Sequence, residues 1–372
     1  MTSKLFTPLQ IGALTLSHRV VMAPLTRMRA SRGDNAPTAL NADYYGQRAT
    51  TGGLIIAEAS PVAPTGHGAP ATPGCYSDAQ VEGWKLVTKA VHAKGGFIFL
   101  QLWHVGRISH SSLQPGAAAP VAPSAIAAAG SGLTATFELA PFQIPRALET
   151  AEIPAIVAAY AQAARNAIAA GFDGVEVHGA NGYLLEQFLQ SRSNTRTDGY
   201  GGGIENRARL MLEVTRAVVD AVGAARTGIR LSPYGRANDS GEADPMPLYS
   251  YVVAELDTLG LAYLHLIEPR ASGAGQREVD HQDVPSAAEL FRPLWRGPLI
   301  AAGNFTADSA EACVAAGHAD AIAFGRFFIS NPDLPERIRR HAAFTPYDRK
   351  TFYGGDAAGY TDYPAMAPAA AR

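Results

Sequence analysis

A chain of 372 residues, 47% hydrophobic and 17% charged, carries ample apolar material for a large core, and α/β barrels commonly run to this length as one domain, here residues 1–372. A formal charge of −2 and a pI near 6.6 give no reason to expect nucleic acid or an acidic membrane as a partner. Two distant cysteines, Cys75 and Cys313, argue against a disulfide framework or a zinc site; the N-terminus lacks the charged-then-apolar pattern of a secretion signal; and no apolar run reaches the roughly 18–20 residues that span a bilayer. The expectation is a metal-free, soluble, cytoplasmic protein, monomeric or a small homo-oligomer.

Short apolar runs alternate with longer amphipathic stretches. Residues 11–16 read as a small N-terminal hairpin, and 19–24 as the first core strand, with a helix near 38–48. Strand two follows at 53–58, a helix at 78–94 ended by Gly95-Gly96, and strand three at 97–102. An irregular excursion, about 104–149, is rich in Pro, Ala, Gly and Ser. Its length suggests a decoration on one barrel face, such as a lid hairpin. The rhythm resumes with a helix at 153–170, strand four at 174–178 and a helical pattern from 183 to 190. A helix at 204–222 precedes strand five at 228–232, and one at 248–259 precedes strand six at 263–268. Helix 286–295, strand seven at 298–302, helix 307–316, strand eight at 319–324 and a last helix at 334–343 complete the count. Eight strand-helix units without a compositional break predict a (β/α)8 TIM barrel. The tail, about 355–372, is Ala/Pro/Gly-rich and reads as loosely held.

In such folds ligands bind beyond the carboxyl ends of the strands. There strand four offers His178, Asn181 and Tyr183. His178 and Asn181 suit donation of hydrogen bonds to one substrate oxygen, and Tyr183, protonated at neutral pH, suits a general acid. Strands seven and eight end in Gly303-Asn304 and Gly325-Arg326, at the pair of loops that holds phosphate in many barrels. Thr26, Ala57, Gln101 and Arg230 lie at or near other strand ends and suit the polar edge of a ring such as isoalloxazine. Any one of these residues alone is more ordinarily a packing or turn residue; their convergence favours a site. No dinucleotide fingerprint, Walker loop, nucleophile elbow or His-Glu-x-x-His motif is present.

The motifs Leu5-Phe-Thr-Pro-Leu9, Val21-Met-Ala-Pro-Leu-Thr-Arg27, Gln101-Leu-Trp-His104 with Gly106-Arg107, and Gly174-Val-Glu-Val-His-Gly-Ala-Asn-Gly-Tyr-Leu184 are spread along the chain. Arg196-Thr-Asp-Gly-Tyr-Gly-Gly202, Glu205-Asn-Arg-Ala-Arg209, Arg230-Leu-Ser-Pro233, Phe324-Gly-Arg326 and Asn331-Pro-Asp-Leu334 continue them. Over nearly its whole length the chain resembles the Old Yellow Enzyme family of FMN-dependent ene-reductases. It is most similar to the bacterial branch that includes the pentaerythritol tetranitrate, N-ethylmaleimide and morphinone reductases. The resemblance implies non-covalent FMN and NADPH or NADH as hydride donor. It also implies a ping-pong cycle in which FMN N5 takes a hydride and passes it to the β-carbon of an activated alkene (enone, maleimide or nitroalkene), or to a nitro or nitrate ester group, with Tyr183 protonating the α-carbon. Ala23, Pro24, Leu25, Thr26, Ala57, Gln101, His178, Arg230, Ala302, Gly303, Asn304, Gly325 and Arg326 would hold the cofactor. Thr26, His67, Trp103, His178, Asn181, Tyr183 and Tyr353 would bind the substrate. His67 stands where an aromatic such as Tyr is expected. Other FMN barrels are disfavoured: a dihydroorotate-type dehydrogenase usually carries a Ser or Cys base, and a dienoyl reductase iron–sulfur cysteines. A flavin binder without turnover is the rival from a different class.

Overall fold

Strands buried on both faces read as continuous apolar runs, because helices cover a parallel sheet from outside and side chains fill it from within. The computed structural model, which describes residues 3–269 and 285–367, is built on that rule. A hairpin of β1 (Leu9–Ile11) and β2 (Leu14–Leu16) comes first, turning at Gly12, where φ is +54° and a Cβ would strike the Ala225 carbonyl. There follow β3 (Val20–Met22), α1 (Ala39–Arg48), β4 (Leu54–Pro61), α2 (Asp78–His92) and β5 (Phe97–Trp103). The excursion contributes β6 (Val121–Ala122), β7 (Ser131–Leu133), β8 (Leu139–Pro141) and β9 (Arg146–Ala147). Then come α3 (Ile153–Ala169), β10 (Gly174–Gly179), α4 (Leu184–Leu189), α5 (Ile204–Val222), β11 (Thr227–Leu231), α6 (Pro245–Asp257) and β12 (Tyr263–Ile267). The chain closes with α7 (Ala287–Phe291), β13 (Leu299–Ala302), α8 (Ala307–Ala315), β14 (Ala321–Phe324), α9 (Arg326–Ser330) and α10 (Leu334–Arg339).

The barrel is closed and parallel, in the order β10-β11-β12-β13-β14-β3-β4-β5, with β5 returning to β10. Strand side chains divide by parity. Val21, Ile56, Phe99, Tyr263 and Ile300 meet inside, where Ile11 and Leu16 of the hairpin pack against them at the end opposite the site. Val175, Val177 and Ile229 point outward to the helices, among Trp84, Leu210, Val252 and Phe291.

The excursion carries a hairpin as expected: β7 pairs with β8 antiparallel, and β6 pairs in parallel with β9. Two stretches differ from the sequence expectation. The five residues of α9, unpredicted, are too short for a periodic signal. The largest correction concerns the tail, which is not loose as far as residue 367; residues 368–372 lie outside the described part. Arg27 donates to the carbonyls of Phe352 and Gly359, Arg29 to those of Thr351 and Asp356, and Arg48 to that of Tyr360. Tyr360 is fully buried and stacks on Tyr44 at 4.0 Å. Buried guanidiniums need acceptors: the tail backbone supplies those of Arg27, most of those of Arg29 and one of Arg48's, whose others include the carbonyls of Tyr44, Phe328 and Ile329.

Candidate active site

A cavity of about 400 Å³ opens at the carboxyl ends of the strands. Its floor is made by Gln101 and Trp103 of β5, His178 of β10, Arg230 of β11 and Ile267 of β12. Ala23, Pro24, Leu25 and Thr26, just past β3, form one side. Leu133, Leu139 and Phe142 of the β7–β8 hairpin, together with Phe352 and Tyr353 of the tail, cover it.

Strand register assembles the polar floor. Glu176 lies beside Gln101, His178 beside Arg230, and Arg230 beside His265. Parity sends these side chains inward while Val175 and Val177 face the helices. Glu176, fully buried, accepts from Gln101 Nε2 at 2.7 Å and from His265 Nδ1 at 2.8 Å. Burial alone would raise its pKa, but His265, Arg230 and Gln101 together hold it below the usual carboxylate value. His265 is itself pushed down by burial, so we read it as a neutral N–H donor and Arg230 as the cation facing Glu176. The ionised carboxylate has no proton to donate and takes the Gln101 amide nitrogen, which leaves the amide oxygen as an acceptor. Arg230 Nε has no hydrogen-bond partner among the described residues.

His178 Nδ1 accepts the Ala180 N–H at 3.3 Å, so the ring proton sits on Nε2. Burial first, then the charge of Arg230, lowers its pKa well below 6.5 and keeps the ring neutral. Asn181 adopts φ +58°, a left-handed conformation that asparagine tolerates better than most residues. Its N–H donates to Ser232 Oγ at 2.8 Å and its carbonyl accepts from Asn238 Nδ2 at 2.9 Å. Tyr183, just before α4, is wedged edge-to-face between Trp103, 4.9 Å away, and His178, 5.0 Å away. Burial, then Tyr353, pushes its pKa up to about 12, against a hydrogen bond from Asn238. The hydroxyl therefore keeps its proton throughout the neutral range.

At the far side of the cavity two turns lie next to each other, one after β13 and one after β14. Gly303 takes φ +136° and Asn304 φ +53°, and Gly325 leads straight into α9. Arg326 Nη2 donates to Asn304 Oδ1 at 3.4 Å, tying the two turns together. Ala302 also lines the cavity here.

Two expected residues do not face the cavity. Ala57 is buried among outward-facing core residues. A register shift between Ala57 and Ser60 reverses the parity of β4 and brings Ala59 to the cavity instead. His67 turns away: its Nε2 pairs with Tyr76 Oη at 2.9 Å, and burial lowers its pKa to about 4. The neighbouring Gly68 and Ala69 line the cavity. Met28, Ile108, Asn238, Phe352 and the hairpin residues also line it and were not anticipated. Phe352 is signalled only by its neighbour Tyr353, and Asn238 only by following a strand end.

A deep apolar-walled cavity over a fixed guanidinium with an unpartnered Nε, beside a paired-glycine turn, fits a flavin phosphate ester. The comparisons agree. The chain belongs to the NADH:flavin oxidoreductase / NADH oxidase family, whose model matches residues 4–344. It is 49% identical over 365 residues to 12-oxophytodienoate reductase 1 of Oryza sativa subsp. japonica, covering 97% of this chain and 92% of that protein. Morphinone reductase in complex with tetrahydroNAD superposes with a TM-score of 0.91 at 50% identity, covering 99% of each chain. The old yellow enzyme homologue from Zymomonas mobilis gives 0.92 at 43% identity, covering 97% of this chain and 99% of its own. Within the family the chain is an Old Yellow Enzyme homologue near morphinone reductase, an FMN-dependent oxidoreductase with a nicotinamide hydride donor. Among the described residues no helix is long and apolar enough to cross a membrane.

Proposed function

We propose that the protein reduces alkenes activated by a carbonyl, imide or nitro group, and also nitro or nitrate ester groups, with NADH or NADPH as the source of electrons. The observation that carries this reading is the polar cluster on the cavity floor. A neutral His178 presents Nε2–H, the Asn181 amide lines the same space, and a protonated Tyr183 is wedged beside them. Two such donors hold the substrate oxygen and stabilise the negative charge that develops on it, an effect typically worth about 10²–10³ in rate per donor. Tyr183 then gives its proton to the carbon α to that group. Thr26 and Gln101 would hold the polar edge of the ring, with backbone from Ala23, Pro24 and Leu25. Arg230 would face the pyrimidine side as a fixed positive charge. Ala302, Gly303, Asn304, Gly325 and Arg326 would hold the phosphate through backbone N–H groups and a guanidinium. Trp103 and Tyr353 would wall the substrate space. Held there, FMN would supply the two-electron redox chemistry that links the nicotinamide to the substrate.

The test is Tyr183→Phe. Reduction of 2-cyclohexenone should fall by about 10²–10⁴-fold, while anaerobic bleaching of the flavin by NADH or NADPH continues. Undiminished enone reduction would remove the proton-donor role. Flavin that no enone or nitro compound reoxidises would favour a binding protein without turnover.

A further inference from the structure

The turn between β10 and α4 contains two consecutive left-handed residues, Asn181 at φ +58° and Gly182 at φ +74°. Asparagine and glycine both tolerate this conformation, so the backbone alone does not fix where their amides point. Every residue of α4, Leu-Leu-Glu-Gln-Phe-Leu, is buried, and among them sits a carboxylate. Glu186 is 0% exposed, an expensive place for an acid unless its oxygens are occupied. Its Oε2 accepts the Gly182 N–H at 2.5 Å. Its Oε1 accepts the Tyr249 hydroxyl from α6 at 2.5 Å and the Ser232 hydroxyl at 2.8 Å. Ser232 Oγ in turn accepts the Asn181 N–H at 2.8 Å. Both amides of the left-handed pair therefore end on one carboxylate, one directly and one through Ser232. Gln187, the next residue, donates to the Gly182 carbonyl at 2.7 Å and completes the grip.

We propose that Glu186 is the positioning residue for the substrate-binding turn: it fixes the backbone that presents Asn181 and Tyr183 to the cavity, without itself lining that cavity. Tyr249 anchors the carboxylate from behind and Ser232 extends its reach to the next amide. The inference rests on Asn181 binding the substrate oxygen, as proposed above.

The experiment uses the FMN-loaded protein and cyclohexanone, which presents a carbonyl but no alkene. Its affinity is read from the change it causes in flavin absorbance. Glu186→Gln keeps the size of the side chain but replaces one acceptor oxygen by a donor, and its Kd should rise about tenfold. Ser232→Ala should weaken binding in the same direction. The double variant should be no weaker than the weaker single, because both changes cut the same chain of hydrogen bonds. Wild-type affinity in both single variants, or losses that multiply in the double, would overturn the proposal. If Glu186→Gln does not fold, Ser232→Ala decides alone, and wild-type affinity there overturns it. Asn181→Ala separates the two levels. Weaker binding in Asn181→Ala with none in Glu186→Gln or Ser232→Ala removes the positioning role only. Unchanged binding in Asn181→Ala removes the reading of the oxygen site and the positioning role with it.

Discussion

The floor and the roof of the cavity are built by opposite means. Around the floor, ionisable side chains are buried and fixed by partners: Glu176 within the barrel by Gln101 and His265, and Glu186 on α4, behind the substrate-binding turn, by Gly182, Ser232 and Tyr249. The β7–β8 hairpin of the roof holds mostly small and apolar residues on three ladder pairs, and Leu139 is 75% exposed although it lines the cavity. A rigid polar floor can keep charges oriented for chemistry, because moving any one of them strands a buried partner. A thin apolar roof has little to lose by changing shape. On the function proposed above, the chemistry belongs to the barrel and the choice of substrate shape to the excursion.

Breaking the floor should have the largest effect. Arg230→Met leaves Glu176 without its facing cation, and we expect a loss of about 3 kcal/mol in stability together with release of FMN. Thermal unfolding and the flavin-to-protein ratio after gel filtration measure both; a stable, yellow Arg230→Met protein would refute the account of the floor.

A second change sharpens the contrast through pH. His104 is 1% exposed; its Nδ1 accepts the Gly106 N–H and its Nε2 pairs with Thr65 Oγ1, so both nitrogens are in use in the neutral form. Burial, then His67, lowers its pKa from 6.5 to about 3. The unfolded chain binds a proton at His104 below pH 6.5 that the folded chain refuses, so its contribution is complete above 6.5 and shrinks as pH falls. The stability advantage of wild type over His104→Gln should shrink by about 1.4 kcal/mol per pH unit below 6.5. Denaturant melts at pH 7.5, 5.5 and 4.5 give the slope, and a constant gap would contradict the buried neutral ring.

Altering the roof should matter least to stability. Leu139→Ala should stay within about 0.5 kcal/mol of wild type. Its effect should show as a changed KM for bulky enones relative to small ones, with kcat preserved. An equal loss of kcat on all substrates would mean that the hairpin serves the chemistry after all.

What could be read from the sequence follows the same division. The barrel strands were legible because parallel strands are unbroken apolar runs set off by Gly and Pro, and the polar residues ending them stood out against that background. Ala57 faces outward by ordinary alternation with Ile56, and a β4 irregularity beyond it, which leaves no mark in composition, brings Ala59 to the cavity. His67 was drawn toward the cavity by sequence position, whereas the local fold aims it at Tyr76. The roof hairpin could be inferred from the length of an irregular stretch, but not its strand bounds, since Ala, Gly and Pro carry no period. The tail was misread as loose for a plainer reason: its backbone carbonyls hold it, and carbonyls are the same in every sequence.

That tail sets a limit on the order in which the protein can be made. Arg27, Arg29 and Arg48 are synthesised long before the tail carbonyls they bond, which belong to residues 351–360. Thr26, on the cavity wall, directly precedes Arg27, and Phe352 and Tyr353 cover the same cavity. The barrel strands can be folded and waiting, but the site is closed only once Phe352 and Tyr353 have been added. A nascent polypeptide stalled short of residue 350 would leave the Arg27 guanidinium without the Phe352 and Gly359 carbonyls that hold it, and the barrel mouth without Phe352 and Tyr353.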